Sequence, residues 1–349
     1  MLEDRLAVCA PEIGVIIDAR LLAAGFKTSL RLARRIEALF RLCATRLSVQ
    51  HHYDFSVRGV SRVVGAICEA KSRGSELGAD KPSAATEQAL AVRAVRTAIG
   101  SGMVPSDREL FEALLWDVFP DQTRTQLGEQ EAVRQYLLSA LCPLRWSARL
   151  VAKTMELYVA MSSASAVSII GPSGGGKSEL RSGLLAALRH ISGKTGERFQ
   201  QAVMYPNAVS TGQLYGEMDA NGDDWLDGIF TRALRKANSY GGTTWIALDG
   251  APDDGWIDGL ASACDERRVL SLTNGDRIPV HPRVKLLLEL PKLCSVSPAV
   301  ATRSTIIYVG TEPLWEALLE EWVAKLKSAA VRVDISALGE LCSALLPYL

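Results

Sequence analysis

Residues 167–178 of this chain read VSIIGPSGGGKS, the stretch from which the fold is predicted most directly. Its first four residues form a mainly apolar, β-branched run, and leucines recur at helical spacing after its end. A strand, a glycine-rich turn and a helix in this order are the context of a phosphate-binding P-loop, whose eight-residue pattern is complete here. The loop consists of Gly171, Pro172, Ser173, Gly174, Gly175, Gly176, Lys177 and Ser178. The alternative, a chance glycine-rich turn, leaves the flanking strand and helix unexplained.

Each part of the loop has an expected role in holding ATP. Glycines let the backbone curl, so that consecutive N–H groups and the start of the following helix point at phosphate oxygens. We expect Lys177 to meet the outer phosphates and Ser178 to give its hydroxyl to a magnesium ion. The sequence therefore predicts ATP and Mg²⁺ as ligands.

A second acidic position supports this prediction. Residues 243–250 read TTWIALDG, a buried strand that ends in Asp249. A carboxylate at the end of a neighbouring strand can hold magnesium together with Ser178. An aspartate after a strand can also be only a turn former, but beside a P-loop the magnesium role is favoured.

Two further positions predict that hydrolysis is weak or absent. Gly250 stands where a catalytic acid would activate water, and glycine has no side chain for that purpose. Asp253 and Asp254 could substitute, although capping of the next helix is the favoured interpretation. Glu289 lies near the end of the strand at 283–290, where related ATPases keep Asn, Ser or Thr to orient water, and a carboxylate there would repel a γ-phosphate unless it is paired.

The order of elements predicts an α/β fold preceded by an all-α region. Helical periodicity dominates the first 120 residues, with a polar loop expected at 71–83. Later, short apolar runs alternate with helical stretches, which is typical of a parallel sheet covered by helices. The expected strands are Ala166–Ile170, Ala202–Met204, Trp245–Leu248, Val284–Leu290 and Thr305–Val309.

The bulk composition narrows the partners and the compartment. The chain has 39 basic and 39 acidic residues in 349, so its charge gives no argument for nucleic acid or a membrane as a partner. Seven cysteines are scattered without metal-ligand spacing, which indicates reduced thiols and a cytoplasmic protein.

Several motifs resemble the AAA+ ring of a dynein heavy chain. They are YPNAVS at 205–210, QLYG at 213–216, DWLDG at 224–228, WIALDG at 245–250 and SPAVATR at 297–303. Their order and spacing resemble the second AAA+ module, most closely that of axonemal dyneins, and residues 41–58 resemble the helical lid of the first module. One departure is Tyr205-Pro206-Asn207, where the family usually has Asn-Pro-Lys.

The resemblance implies a domain plan. Residues 1–120 would be the lid of the first module, residues 121–312 the large P-loop subdomain of the second AAA+ module, and residues 313–349 the truncated start of its lid. The chain would then be a fragment without the linker, the stalk and the later modules. Its partners would be the remaining AAA+ modules and, in the parent motor, intermediate chains, light chains and microtubules of a ciliary axoneme.

The resemblance also gives roles to two arginines. Arg58 lies in the first turn of a helix, where the macrodipole disfavours a cation unless an anion is near. It matches the lid arginine that reaches the nucleotide of the first module. Arg303 matches an arginine finger that would act on the neighbouring module. The leading hypothesis is thus a dynein segment that holds ATP, with a self-contained P-loop NTPase or kinase and a nucleotide-free interaction fragment as alternatives.

Overall fold

A computed structural model describes most of the chain in two compact units, Met1–Thr125 and Gln126–Leu349. The described residues are 11–50, 52–76, 84–120, 128–139, 148–193, 196–219, 224–252, 255–265, 267–294 and 296–310, together with Leu319, Trp322 and Val323. The predicted lid at 313–349 and the acids Asp253 and Asp254 fall outside this part of the chain, apart from those last three residues.

The first unit is helical throughout its described part. Its helices are α1 (Ile13–Ala23), α2 (Ser29–Arg46), α3 (Val57–Glu76), α4 (Ala84–Ala98) and α5 (Pro105–Val118), with a 3-10 turn at Gly100–Gly102. Each helix turns an apolar stripe inward, because residues three and four positions apart share one helix face. One buried residue from each helix illustrates this core: Ile17, Leu39, Val64, Val95 and Phe111.

Helix α3 runs further than the sequence predicted. The expected loop at 71–83 is wrong for residues 71–76, which continue the helix, and residues 77–83 lie outside the described part. The reason is a long-range contact of Lys71. Its ammonium donates to the carbonyl of Gly25 at 2.5 Å, pairs with Glu87 at 3.3 Å and lies 3.9 Å from the ring centroid of Phe26. These contacts stabilise a helical turn that the local polar sequence does not favour.

The second unit contains a five-stranded parallel sheet. Its strands are β1 (Ala166–Ile170), β2 (Phe199–Met204), β5 (Thr243–Asp249), β8 (Val284–Leu290) and β9 (Thr305–Tyr308), in the order β2-β5-β8-β1-β9. All five predicted strands are present in this sheet, with ends shifted by up to three residues. The predicted fold class, an α/β unit with a parallel sheet preceded by a helical unit, is confirmed.

Helices cover both faces of this sheet. Successive strand residues point to opposite faces, so Ile246 and Leu248 pack in one core, and Trp245 and Ala247 pack in the other. The second core includes side chains of α6 (Gly128–Ser139), α7 (Ala148–Ser163) and α8 (Lys177–Ser192). On the first face lie α10 (Ile229–Ser239), α11 (Ala261–Cys264) and α12 (Pro298–Ala301).

Two short hairpins escaped the sequence reading. The first pairs β3 (Gly216–Met218) with β4 (Trp225–Asp227) and follows the 3-10 turn Pro206–Ala208 and the short helix α9 (Thr211–Tyr215). The second pairs β6 (Val269–Ser271) with β7 (Arg277–Pro279) and follows the 3-10 turn Trp256–Leu260 and α11. Three-residue strands are too short to show alternation in a sequence. No helix in the described residues has the length and apolar character needed to cross a membrane.

The strand order determines what meets at the carboxyl edge of the sheet. Strand β8 lies between β1, which leads into the P-loop, and β5, which ends in Asp249. Ligands of such open parallel sheets bind outside the carboxyl ends of the strands. The order therefore brings the end of β8, with Glu289, between the phosphate loop and the predicted magnesium ligand.

Candidate nucleotide-binding site

The P-loop is shaped by glycines with different tasks. Gly171 follows β1 directly and donates its N–H to the carbonyl of Leu290 at 3.1 Å. A Cβ at Gly171 would lie only 2.6 Å from the carbonyl oxygen of Val309, so a larger residue would push the loop away from β9. Gly176 has a φ of 89° and is the N-cap of α8. This left-handed residue lets the loop end and the helix begin within one peptide.

Lys177, the first residue of α8, folds back over the loop. Its ammonium donates to the carbonyl oxygens of Gly171 at 2.7 Å and Pro172 at 2.9 Å. Burial lowers the pKa of Lys177, while the charges of Asp249 and Glu289 act in the opposite direction. The lysine is therefore positioned at the loop by contacts that stronger anionic acceptors could replace.

Asp249 ends β5 at the same edge of the sheet. In the parallel pairing of β5 and β8, it lies opposite Glu289. Burial raises the pKa of Asp249, and the nearby charge of Glu289 raises it further, against the smaller effects of Lys177 and Arg181. Two carboxylates in adjacent register favour a cation between or beside them.

Glu289 is paired, so it does not repel a γ-phosphate as an isolated carboxylate would. The residue is 1% exposed; one oxygen accepts the Ser178 hydroxyl at 2.6 Å and the other contacts Nε of Arg181 in a salt bridge. Both partners lie on α8, three residues apart, and so share one helix face. The hydroxyl predicted to face magnesium thus has its proton directed to Glu289. The sequence reading missed Arg181.

The position after Asp249 is filled by a neighbour. A Cβ at Gly250 would lie 2.1 Å from Oδ1 of Asn207, whose amide donates to the carbonyl of Ala251 at 3.0 Å. Asn207 belongs to the 3-10 turn Pro206–Ala208 that follows β2. The space in which the side chain of a catalytic acid would begin is therefore occupied by an amide, a contact that sequence reasoning could not supply.

The two predicted functional arginines lie outside this cluster of contacts. Nη1 of Arg303 donates to the carbonyl of Ala299 at 2.8 Å, and Nε lies 3.4 Å from Oδ2 of Asp265. Arg58 is exposed in the first turn of α3, and its backbone N–H donates to the Ser56 hydroxyl at 3.2 Å. Their roles towards neighbouring modules stay predictions.

The residues at this edge fit a magnesium-bound phosphate chain. The start of α8 and the glycine loop offer backbone N–H groups, and Lys177 adds a positive charge. Ser178 and Asp249 offer hard oxygen ligands, and Mg²⁺ is usually held by one or two carboxylates completed by phosphates and water. The arrangement can bind such a ligand, but at Gly250 it lacks a side chain that could activate water.

Two family models match this chain. The model described as the hydrolytic ATP binding site of the dynein motor region covers residues 2–178, and the model of the dynein-related subfamily of AAA domains covers residues 166–303. The first match ends at Ser178, so Asp249, Glu289 and Arg303 fall within the second alone.

Curated proteins of the same kind resemble nearly the whole chain. Dynein axonemal heavy chain 8 of Homo sapiens is 30% identical over 331 residues, which cover 92% of this chain. The dynein gamma chain of the flagellar outer arm of Chlamydomonas reinhardtii is 33% identical over 327 residues. The cytoplasmic dynein heavy chain of Drosophila melanogaster is 30% identical over 352 residues. The chain spans only 7%, 7% and 8% of these three relatives.

Proposed function

The chain belongs to the dynein heavy chain family, and from this premise we propose that its P-loop unit binds Mg-ATP and hydrolyses it weakly or not at all. The matched family models identify an AAA region of a dynein motor with an ATP-binding site. The bound nucleotide would act as a structural and allosteric ligand. At a ligand concentration 100 times Kd, such binding stabilises the folded state by about 2.7 kcal/mol.

The residues that would hold the nucleotide are those of the loop edge. The backbone of residues 171–176 and Lys177 would bind the phosphates, and Ser178 and Asp249 would bind magnesium. When bound, magnesium supplies positive charge that neutralises the phosphate oxygens. Lys177 would exchange its two carbonyl partners for phosphate oxygens, which are stronger acceptors because they are charged.

The observation that carries the proposal is the contact at Gly250. A catalytic glutamate at this position would place its Cβ 2.1 Å from Oδ1 of Asn207, so the Asn207 side chain would have to turn away to admit it. The missing acid is thus accompanied by a close neighbour, the side-chain amide of Asn207. A general base contributes about 10²–10⁴-fold to rate, so a site without one keeps its nucleotide.

We also propose that this chain serves a neighbouring module. Arg303 would be an arginine finger and would exchange its contacts with Ala299 and Asp265 for a phosphate in the next module. Arg58 would serve the nucleotide of the first module from its exposed position. The partners would be the other AAA+ modules and, in the whole motor, intermediate chains, light chains and microtubules. The axonemal and flagellar names of two relatives support a cytoskeletal setting in a cilium or flagellum, and the name of the Drosophila relative supports a cytoplasmic one.

The test is to purify the chain and to measure its bound nucleotide after denaturation and its phosphate release. We expect stoichiometric ATP and negligible turnover, with Lys177→Ala emptying the site. Lys153→Ala is the matched control, because this lysine of α7 pairs only locally with Glu156 at 2.8 Å. Rapid turnover by the unchanged chain would instead support a self-contained NTPase or kinase. Failure to bind added nucleotide would support an interaction fragment.

A further inference from the structure

We propose that Glu289 is a positioning residue for the metal: it orients the Ser178 hydroxyl and makes nucleotide binding at this loop strictly dependent on a divalent cation. The inference rests on the proposed function, because it concerns the same P-loop. It adds a residue from the middle strand of the sheet to the expected pair of Ser178 and Asp249.

The proton of the Ser178 hydroxyl points to Glu289. A serine hydroxyl has one hydrogen to donate and two lone pairs to offer. Ser178 donates its hydrogen to Glu289 at 2.6 Å, so both lone pairs stay available to a cation. Carboxylates that bind a ligand group from behind fix its orientation and raise its basicity, as they do for metal-binding histidines. Glu289 and magnesium therefore do not compete for Ser178; the carboxylate prepares it.

Glu289 is itself held in place by burial and by pairing. The residue is 1% exposed, and its other oxygen is paired with Nε of Arg181 from the same helix face as Ser178. A buried carboxylate held by a guanidinium and a hydroxyl on one helix cannot turn away without leaving charges unpaired, which is costly. The orientation of the hydroxyl is therefore set before any ligand arrives.

The charged side chains around the loop include equal numbers of cations and anions. Lys177 and Arg181 are positive and Asp249 and Glu289 are negative, and these four groups are close enough to affect the pKa of Asp249 or to pair directly. Their formal charges cancel. A triphosphate without a metal would therefore meet no net positive side-chain charge, whereas a magnesium-bound one brings its own cation to two carboxylates.

The test measures binding of a fluorescent ATP analogue to the full chain over a series of Mg²⁺ concentrations and in EDTA. In Glu289→Gln, the single amide oxygen can accept from Arg181, which leaves the NH₂ group to face Ser178. This group donates a hydrogen bond to the Ser178 oxygen and so occupies one of the two lone pairs that a cation would use. We expect the Mg²⁺ concentration for half-maximal binding to rise about tenfold, in line with other residues that support metal ligands. Affinity in EDTA should rise instead, because one negative charge is removed.

A double-mutant cycle separates positioning from a merely structural role. Ser178→Ala should weaken the Mg²⁺ response in the unchanged chain and have little further effect in Glu289→Gln, because both act through one hydroxyl. Glu87→Gln, which changes a buried glutamate of the helical unit, should leave the Mg²⁺ response unchanged.

The possible failures are distinguishable. An unchanged chain that binds no nucleotide with or without Mg²⁺ overturns the proposed function and this inference with it. Equal Mg²⁺ dependence in the unchanged chain and in Glu289→Gln, with nucleotide still bound, overturns the inference alone. Parallel losses of affinity with Mg²⁺ and in EDTA would also overturn it, since they indicate damage to the fold.

Discussion

Glu87 in the helical unit and Glu289 in the P-loop unit are both buried glutamates that accept a hydroxyl and pair with a cation. Glu87 is 0% exposed and accepts the backbone N–H groups of Lys27 and Thr28, the Thr28 hydroxyl at 2.7 Å and the ammonium of Lys71. Glu289 has no such backbone donors among its described contacts, which are the Ser178 hydroxyl and Arg181.

The surroundings of the two carboxylates differ as well. Burial alone would raise the pKa of Glu87, but the hydrogen bonds from Lys27, Thr28 and Lys71 outweigh burial and lower it. Glu289 instead lies opposite a second acid, Asp249, whose pKa is raised by burial and by Glu289. A carboxylate saturated with hydrogen bonds, such as Glu87, contributes to stability, whereas two adjacent acids, such as Asp249 and Glu289, repel each other unless a cation lies near them.

The largest expected effect tests the structural role of Glu87. Glu87→Ala removes the carboxylate that neutralises the mostly buried ammonium of Lys71, although that ammonium keeps the Gly25 carbonyl, and it leaves two backbone N–H groups without their acceptor. The free energy of unfolding should therefore fall by about 3–5 kcal/mol. Urea unfolding followed by circular dichroism measures this. Glu112→Ala, which breaks a half-exposed pair with Arg96, is the control and should cost under about 1 kcal/mol. Equal losses in the two variants would contradict the assignment.

The next effect asks whether Glu289 can replace the missing catalytic acid. Both its oxygens are engaged, so we expect that it cannot, and that turnover returns only with a glutamate at position 250 and room for it. Gly250→Glu combined with Asn207→Gly should raise phosphate release by about 100-fold, which corresponds to about 2.7 kcal/mol.

The matched controls for that experiment are the single variants. Asn207→Gly should give no gain, and Gly250→Glu should give less than the double variant, because its Cβ meets Oδ1 of Asn207. If the double variant binds ATP and still fails to release phosphate, Gly250 does not explain the missing hydrolysis. High turnover in the unchanged chain that is lost in Glu289→Gln would show that Glu289 acts as the catalytic acid, contrary to our expectation.

A smaller effect concerns the two hydroxyls. Thr28→Val keeps the shape of the side chain but removes the hydrogen bond to Glu87, and the free energy of unfolding should fall by about 1.5 kcal/mol, typical for a bond to a charged group. Nucleotide binding should stay unchanged. Thr45→Val is the control, since its exposed hydroxyl donates only to the carbonyls of Arg41 and Leu42 within α2. A changed Mg²⁺ response in Thr28→Val would contradict the distinction between a hydroxyl that stabilises the fold, at Thr28, and one that binds the metal, at Ser178.

The same two glutamates mark how far sequence reasoning reaches. The P-loop, the strand before it and Asp249 are local patterns, because glycine spacing and apolar runs act over a few residues. They could be predicted, and so could the helices of the first unit from their apolar stripes.

The partners of the glutamates could not be predicted in this way. Arg181 and Glu289 are 108 residues apart, and only the strand order that inserts β8 between β1 and β5 brings them together. Asn207 meets Gly250 through the same sheet, and Lys71 extends α3 because Glu87 lies across the core. Such contacts are consequences of topology, which periodicity does not encode.

The smallest expected effect is a difference in the sign of pH dependence. The folded pKa of Asp249 is raised above its ordinary value of 3.8, so its ionised form destabilises the folded, unliganded unit at neutral pH. Asp249→Asn should therefore raise the free energy of unfolding at pH 7, by less than about 1 kcal/mol because the group is partly solvated. The gain should vanish as the pH falls to the unfolded pKa, while Mg-ATP binding is weakened at neutral pH.

Glu87 should behave in the opposite way. Its folded pKa lies below its ordinary value of 4.5, so the stability it contributes is present above that pH and is lost as the pH falls through the folded pKa. Thermal unfolding between pH 3 and pH 7 compares Asp249→Asn and Glu87→Gln with the unchanged chain, and Asp258→Asn is an exposed control. The difference between each variant and the unchanged chain gives the slope of the free energy of unfolding against pH that each acid contributes. Slopes of the same sign would mean that both acids serve stability. Opposite slopes would mean that the P-loop unit accepts a less stable unliganded state because Asp249 and Glu289 are kept for a cation.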